Sequence, residues 1–207
     1  MSDDRPIVYL VDDDASVRAA ISSLIRSIGL DVATFASADA FLAHPLGERP
    51  ACLVLDVRLP GLSGLELQRE LGAMQRALPI VFISGHGDIP MSVRAMKAGA
   101  VEFLPKPFPD EALIAAIRTS LERDRKQRAQ REEVAELRRR YDSLTTRERE
   151  VLLSIAGGML NKQVGADLGI TEITVKVHRR HVMQKLGARS LPELVRMVDK
   201  LGLDTQA

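Results

Sequence analysis

The nine residues from Leu53 to Gly61 are LVLDVRLPG, and they decide the fold of the first half of this 207-residue chain. A short apolar run that is bounded by proline and glycine is typical of a buried parallel strand that leads into a loop. One carboxylate, Asp56, stands where this strand is predicted to end. Open α/β sheets place their chemistry at the carboxyl ends of their strands, and a buried carboxylate is costly without partners. Asp56 therefore needs polar partners from the ends of other strands.

Helical segments alternate with four further apolar runs of the same kind. This alternation is typical of a doubly wound α/β sheet, in which the strands are parallel and helices cover both faces. The sequence therefore predicts a five-stranded parallel sheet. Its other strands are predicted at Ile7–Val11, Val32–Phe35, Ile80–Ile83 and Val101–Leu104.

Polar residues follow the predicted strands. Asp12 and Asp13 come after the first strand, Ser84 after the fourth and Lys106 after the fifth. Because the carboxyl ends of parallel strands meet at one edge of the sheet, we expect these residues to lie near Asp56. The aspartates would form an oxygen site for Mg²⁺, and Asp56 would act as a nucleophile that forms an acyl phosphate. Lys106 and the Ser84 hydroxyl would each contact a phosphoryl oxygen, which is the positioning that phosphoryl transfer needs.

Together these motifs resemble the receiver domain of two-component response regulators over nearly all of residues 5–122. The matching segments are VDDD at 11–14, Asp56 with PG at 60–61, SG at 84–85 and KP at 106–107. The resemblance implies a flavodoxin-like fold, a phosphorylation site at Asp56 and a cis peptide bond before Pro107. The Mg²⁺ ligands that it implies are Asp13, Asp56 and the backbone carbonyl of Arg58, with Asp12 as their neighbour in the metal site.

The resemblance implies a conformational switch on phosphorylation, in which two residues would take part. Ser84 stands where the family more often has threonine, and it keeps the hydroxyl. Phe103 lies three residues before Lys106 and matches the switch aromatic of the family, but its position also fits a core residue, and both interpretations stay open. Our hypothesis is that phosphate on Asp56 attracts the Ser84 hydroxyl, and that Phe103 then turns inward and changes the outer face of the domain.

Residues 110–142 have the pattern of one long, charged helix. Leu113, Ile117 and Leu121 form a narrow apolar stripe, whereas the segment after Arg123 is rich in arginine, glutamate and glutamine. This pattern fits either a solvated connector between two domains or a short coiled-coil seam of a dimer, and the sequence leaves both open.

Residues 143–207 have the pattern of four short helices. The second is predicted at about Asn161–Leu168 and the third from about Thr171 to Leu186, and a tight turn at 168–171 joins them. Two helices joined in this way are typical of a helix-turn-helix. The exposed face of the third helix is basic, which fits the major groove of DNA. We expect Lys162, Thr174 and Lys185 to contact phosphates.

The second half resembles the LuxR-type helix-turn-helix over about residues 140–203. The resemblance rests on Leu144–Leu152, Asn161-Lys162, Leu168–Ile170, Thr174–His178 and Lys185–Ala188. It implies that Lys176, Val177 and Arg180 face the bases and that the last helix supplies a dimer contact. One departure is Gly165, where alanine is commoner; it should weaken its helix by up to about 1 kcal/mol. Together the two halves resemble a response regulator of the FixJ/NarL class.

Composition agrees with two halves that have different tasks. Residues 1–120 contain 11 Lys/Arg and 15 Asp/Glu, a net charge of −4, whereas residues 121–207 contain 18 and 13, a net charge of +5. The basic half is the candidate for binding nucleic acid. Cys52 is the single cysteine, so no disulfide framework exists within the chain. No apolar stretch reaches the roughly 18 residues of a membrane span, and no signal pattern is present, so we expect a cytoplasmic protein that is not bound to membranes.

The sequence thus predicts a transcription factor that phosphorylation controls, and not an enzyme. The predicted domains are a receiver at 1–122, a helical linker at 123–142 and a DNA-binding domain at 143–207. Its expected partners are a sensor histidine kinase, double-stranded DNA and, on activation, a second copy of the chain; RNA polymerase is a further candidate. One alternative is a phosphatase with Asp12 as its nucleophile, and another is a signalling adaptor that does not bind DNA.

Overall fold

Five apolar runs pair as one parallel sheet in the computed structural model, which describes residues 5–74, 78–85 and 89–203. The strand order is β2-β1-β3-β4-β5. The three inner strands are buried along their whole length, as expected where helices cover both faces of a parallel sheet. The predicted doubly wound fold is therefore confirmed. The strands are β1 (Ile7–Val11), β2 (Asp31–Phe35), β3 (Ala51–Asp56), β4 (Ile80–Ser84) and β5 (Glu102–Pro105).

Side chains that alternate along the strands supply two hydrophobic cores, one on each face of the sheet. Tyr9, Leu53 and Phe82 pack with the core on one face, whereas Val54 and Ile83 pack with the core on the other. The first core includes residues of α2 and α3, and the second includes residues of α1 and α5. These helices are α1 (Ala15–Ser27), α2 (Ala38–Leu42), α3 (Gly64–Ala73), α4 (Ile89–Lys97) and α5 (Asp110–Asp142).

The ends of β2, β4 and β5 differ by one residue from the predicted bounds. The fifth strand begins one residue later than predicted, although the Val101 N–H still donates to the Ile80 carbonyl at 2.8 Å from the bend before the strand. Gly64 is the first residue of α3. The helix begins there because Ser63 and Glu66 form a capping box, in which each side chain accepts from a backbone N–H of the other residue.

The chain divides into two units, residues 1–128 and 129–207. In the second unit, α6 begins with a capping box of Thr145 and Glu148. The predicted tight turn after α7 is also present, because Gly169 adopts φ +66°, a left-handed conformation that favours glycine. Val151, Val164 and Val182 lie in one buried core. The helices are α6 (Thr146–Ala156), α7 (Asn161–Leu168), α8 (Glu172–Leu186) and α9 (Leu191–Lys200).

Helix α5 is continuous over 33 residues, as predicted. Leu113, Ile117 and Leu121 form its buried stripe. The stripe continues into a charged residue, Asp124, whose carboxylate is fully buried and accepts a hydrogen bond from the Ala51 N–H at 2.9 Å. Residues 123–128, which we predicted as part of the linker, are thus tied to the start of β3. The domain boundaries themselves stay predictions.

Candidate functional site

The predicted acidic cluster forms at the carboxyl ends of β1 and β3. These strands are neighbours, and their register pairs Val11 with Leu55, which brings the residues that follow side by side. Carboxylate oxygens of Asp12, Asp13 and Asp56 all lie within 4.8 Å of one another. Asp12 is fully buried and Asp56 is buried, whereas Asp13 is exposed. The cluster therefore has an open side toward solvent, through which a small ion or a phosphoryl group can enter.

Lys106 is the cation of this cluster. Its Nζ atom lies 2.7 Å from Asp12 Oδ2 and 2.9 Å from Asp56 Oδ2. The backbone fixes its place, because the Lys106 N–H donates to the Ser84 carbonyl at 2.8 Å. Burial alone would lower the pKa of the Lys106 ammonium, but the hydrogen bonds and charges of the two aspartates outweigh burial and raise this pKa above its ordinary value. Lys106 is thus held in the charged form.

Backbone donors orient the two buried carboxylates. Asp12 Oδ1 accepts from the Asp14 N–H at 2.9 Å, and Asp56 Oδ1 accepts from the Arg58 N–H at 3.1 Å. In each carboxylate, one oxygen therefore accepts from a backbone N–H and the other accepts from Lys106. This arrangement fixes both side chains before any ligand arrives, and Asp56 stands at the strand end with its charge compensated.

Ser84 and Phe103 lie near the cluster on β4 and β5. The register pairs Asp56 with Ile83, so that Ser84 is the next residue along the neighbouring strand; it is fully buried. The Phe103 ring is half-buried, and its centroid lies 6.2 Å from that of Phe82. The implied cis bond between Lys106 and Pro107 is present. The switch roles of Ser84 and Phe103 stay predictions.

The donor set of the cluster fits Mg²⁺. Magnesium prefers hard oxygen ligands and is commonly held by one or two carboxylates together with water and phosphate oxygens. Asp13 and Asp56 offer such oxygens beside Asp12. That the Arg58 carbonyl is a further ligand stays a prediction. Exposure weakens the phosphatase alternative, because the Asp12 side chain has no solvent-accessible surface, whereas the Asp56 side chain is 10% exposed.

The second candidate site is the exposed face of α8. On the opposite, core face of α8, Val175, Val182 and Leu186 are fully buried and His178 is half-buried. The residues predicted to contact DNA differ in exposure. Lys162, Lys176, Val177, Arg180 and Lys185 are exposed, and Thr174 is half-buried.

Two of these lysines already have acidic partners. Lys176 Nζ lies 2.9 Å from Glu172 Oε1 in an exposed pair, which is weak enough for a base edge of DNA to displace. Lys185 Nζ lies 2.7 Å from Glu148 Oε2, and the Glu148 side chain is only 5% exposed. Lys185 thus ties α8 to the capping box of α6, a role that the sequence pattern did not reveal.

Two family models match the two halves of the chain. The model of the response regulator receiver domain matches residues 8–118, and the model of the bacterial regulatory proteins of the luxR family matches residues 142–198. The chain belongs to the LuxR-type response regulators. It combines a receiver domain with a LuxR-type DNA-binding domain.

This response regulator resembles several known proteins along nearly its whole length. It is 51% identical to nodulation protein W of Bradyrhizobium diazoefficiens, over 96% of this chain and 88% of that protein. It is 47% identical to the transcriptional regulatory protein FixJ of Azorhizobium caulinodans, over 92% of this chain and 90% of that protein. The solved structure of the response regulator StyR matches with a TM-score of 0.83 and 52% identity, over 95% of this chain and 99% of that chain. Within the described ranges, no helix of this regulator has the length and hydropathy of a membrane span.

Sequence reasoning missed the close approach of Gly64 to the segment that carries Asp56. The Gly64 N–H donates to the Val57 carbonyl at 3.0 Å, so that the start of α3 lies against the turn after Asp56. A Cβ atom at Gly64 would clash with the Asp56 carbonyl oxygen and lie 3.1 Å from Val57 Cα. The available signal was a glycine directly after the capping serine, at a helical position where glycine is otherwise unfavourable.

Proposed function

We propose that this response regulator is a transcription factor that a sensor histidine kinase controls through phosphorylation of Asp56. The observation that supports it most is the contact of Asp56 with Lys106 beside two further carboxylates, on a chain that also carries a DNA-binding domain. The chain acts as a phosphoacceptor and binding protein, and not as an enzyme with a small-molecule substrate.

The chemistry at Asp56 is a phosphoryl transfer from the phosphohistidine of the kinase. A carboxylate oxygen of Asp56 attacks phosphorus, the phosphorus–nitrogen bond breaks, and the electron pair returns to the histidine ring. Lys106 pairs with a phosphoryl oxygen of the acyl phosphate, and the Ser84 hydroxyl donates to another. Mg²⁺ held by Asp13, Asp56 and the Arg58 carbonyl, with Asp12 beside it, would neutralise the phosphoryl charge.

In the output domain, Lys176, Val177 and Arg180 contact bases and Lys162 and Thr174 contact phosphates. Lys185 would contribute to the phosphate contacts only after it exchanges its pair with Glu148. Activation produces a homodimer, which binds two half-sites with one reading helix each and so gains specificity. RNA polymerase is a candidate partner of the bound dimer.

Phosphorylation of the full chain with acetyl phosphate and Mg²⁺ tests the phosphoacceptor role. We expect one phosphoryl group per chain by intact-mass spectrometry, and loss of this signal with hydroxylamine, which cleaves acyl phosphates. Asp56→Asn should remain unmodified, whereas Asp39→Asn, in an exposed position of α2, should be modified like the wild type. Equal modification of the Asp56→Asn variant would contradict the assignment.

A further inference from the structure

An isoleucine, Ile173, lies on the exposed face of α8 in its first turn. Its side chain is 74% exposed and does not contribute to the buried hydrophobic core of this unit. Val182 follows Ile173 by nine residues, which is about two and a half turns at 3.6 residues per turn, so the two side chains lie on opposite faces. Val182 is fully buried. Ile173 therefore projects directly away from the core, where helices of globular proteins normally carry polar residues.

The residues that share this face with Ile173 are those expected to enter the major groove. Val177 follows Ile173 by one turn and is 47% exposed, and Arg180 follows by about two turns. Lys176 is also exposed, three residues after Ile173. Ile173 and Val177 thus form an exposed apolar pair, which we call the α8 stripe, with the cations Lys176 and Arg180 beside it. Cations beside it would bind the DNA backbone or guanine and bring the apolar groups onto the base edges.

We propose that Ile173, together with Val177, reads thymine C5-methyl groups in the major groove, so that Ile173 is a specificity-determining residue of this regulator. The methyl group of thymine is the apolar feature that base edges present in the major groove, and aliphatic side chains are suited to contact it. Ile173 is the second residue of α8, and the first residues of a recognition helix are those that reach base edges. This inference rests on the proposed DNA-binding function.

The length of the stripe suits neighbouring base pairs. Two residues that are four positions apart on a helix are separated by about 6 Å along its axis. Successive base pairs are separated by about 3.4 Å. Ile173 and Val177 can therefore contact methyl groups on different base pairs of one half-site. We expect each half-site to contain at least one thymine whose methyl group contributes to affinity through Ile173.

Replacement of thymine by deoxyuridine tests this proposal, because it removes the methyl group and keeps every hydrogen-bonding group of the base. A preferred duplex is first selected from a random library with the full chain, treated with acetyl phosphate and Mg²⁺. Each thymine of the selected site is then replaced in turn, and the Kd is measured for the wild type, for Ile173→Ser and for Leu160→Ser. Leu160 is a matched control, since it is 69% exposed in the same unit but lies before α7.

For the wild type, at least one replacement per half-site should raise the Kd by about fourfold, which corresponds to the burial of one methyl-sized group. For Ile173→Ser the same replacement should leave the Kd unchanged, while Leu160→Ser should retain the fourfold loss. An unchanged melting temperature of Ile173→Ser shows that the variant is folded.

Equal losses in the wild type and Ile173→Ser at every thymine would overturn the proposal, as would the absence of any methyl effect. A loss of affinity in Ile173→Ser that is the same with and without the thymine methyl groups would indicate that Ile173 contacts the DNA backbone. This result would also overturn the proposal. If the wild type selects no duplex over random DNA, the proposed DNA-binding function fails and the inference fails with it.

Discussion

Lys106 is the residue that holds the acidic pocket together in the absence of a metal ion. Its ammonium group lies within hydrogen-bonding distance of Asp12 and Asp56, and Asp12 is fully buried. Removal of one member of a buried ion pair leaves an uncompensated charge, which is strongly destabilising.

Lys106→Ala should therefore lower the free energy of unfolding by about 3 kcal/mol in EDTA. Part of this loss should return when Mg²⁺ is added, because a divalent cation at the carboxylates replaces the missing charge. Urea denaturation followed by circular dichroism measures both effects. The control is Lys126→Ala, since Lys126 forms an exposed pair with Glu122 that should contribute less than about 0.5 kcal/mol. Equal effects of the two substitutions would contradict this account of the pocket.

Gly64 controls the position of Asp56 through its lack of a side chain. A Cβ atom there would clash with the Asp56 carbonyl oxygen, so Gly64→Ala has to displace the turn that follows Asp56, the proposed phosphoacceptor. We expect at least a roughly tenfold slower phosphorylation by acetyl phosphate, because small errors in positioning are costly in such reactions.

The matched control for this prediction is Gly72→Ala in the same helix. A Cβ atom at Gly72 meets nothing within 4 Å, so this substitution should keep the phosphorylation rate and raise the stability by about 0.5 kcal/mol or more. Mass spectrometry over a time course gives both rates. A Gly64→Ala variant that is phosphorylated at the wild-type rate would show that the close approach has no influence on the site.

At the scale of secondary-structure elements, Asp124 anchors helix α5 to the first residue of β3. One carboxylate oxygen accepts from the Ala51 N–H at 2.9 Å and from Arg128, and Arg128 donates in turn to the Glu48 carbonyl at 2.8 Å. Because a buried donor without an acceptor is costly, Asp124→Ala should lower the free energy of unfolding by about 3 kcal/mol. Glu122→Ala, on the exposed side of the same helix, should change it by less than about 0.5 kcal/mol. Urea denaturation compares the two, and similar values would argue against an anchor.

The sequence was sufficient for the elements because each carries a local signal. Alternating strands and helices predicted the sheet, and the strand-end positions of Asp12, Asp56 and Lys106 predicted the cluster that the structure brings together. The roles of Gly64 and Asp124 were not predicted, since both depend on how closely two segments approach each other in the folded chain, which the local sequence pattern does not determine. A buried aspartate in a charged helix has the same local pattern as a solvated one.

Gly165 illustrates the same limit in the second unit. In the sequence, glycine stands at a position where LuxR-type domains more often have alanine, and it is expected to weaken α7. In the structure, a Cβ atom at this position would lie 2.8 Å from the Ile170 carbonyl oxygen. Glycine therefore allows α7 to approach the turn before α8 closely. Gly165 lowers helix propensity but is needed for this packing, which the local sequence pattern does not reveal.

At the scale of the whole molecule, phosphorylation of the receiver domain has to be coupled to DNA binding by the LuxR-type domain. The receiver domain carries the acidic pocket, and the LuxR-type domain carries the α8 stripe with its flanking cations. Phosphate on Asp56 should promote a dimer, and the dimer should bind paired half-sites more tightly than a monomer binds one, because the second contact becomes intramolecular.

The measurement that tests this claim most directly is DNA binding together with molecular mass in solution, with and without acetyl phosphate and Mg²⁺. Wild type and Asp56→Asn are compared on a duplex selected by the phosphorylated protein. We predict that phosphorylation raises the dimer fraction and the DNA affinity of the wild type together, and that Asp56→Asn shows neither change. The same affinity and mass in all four states would contradict the account, because phosphorylation of Asp56 would then not control the output domain.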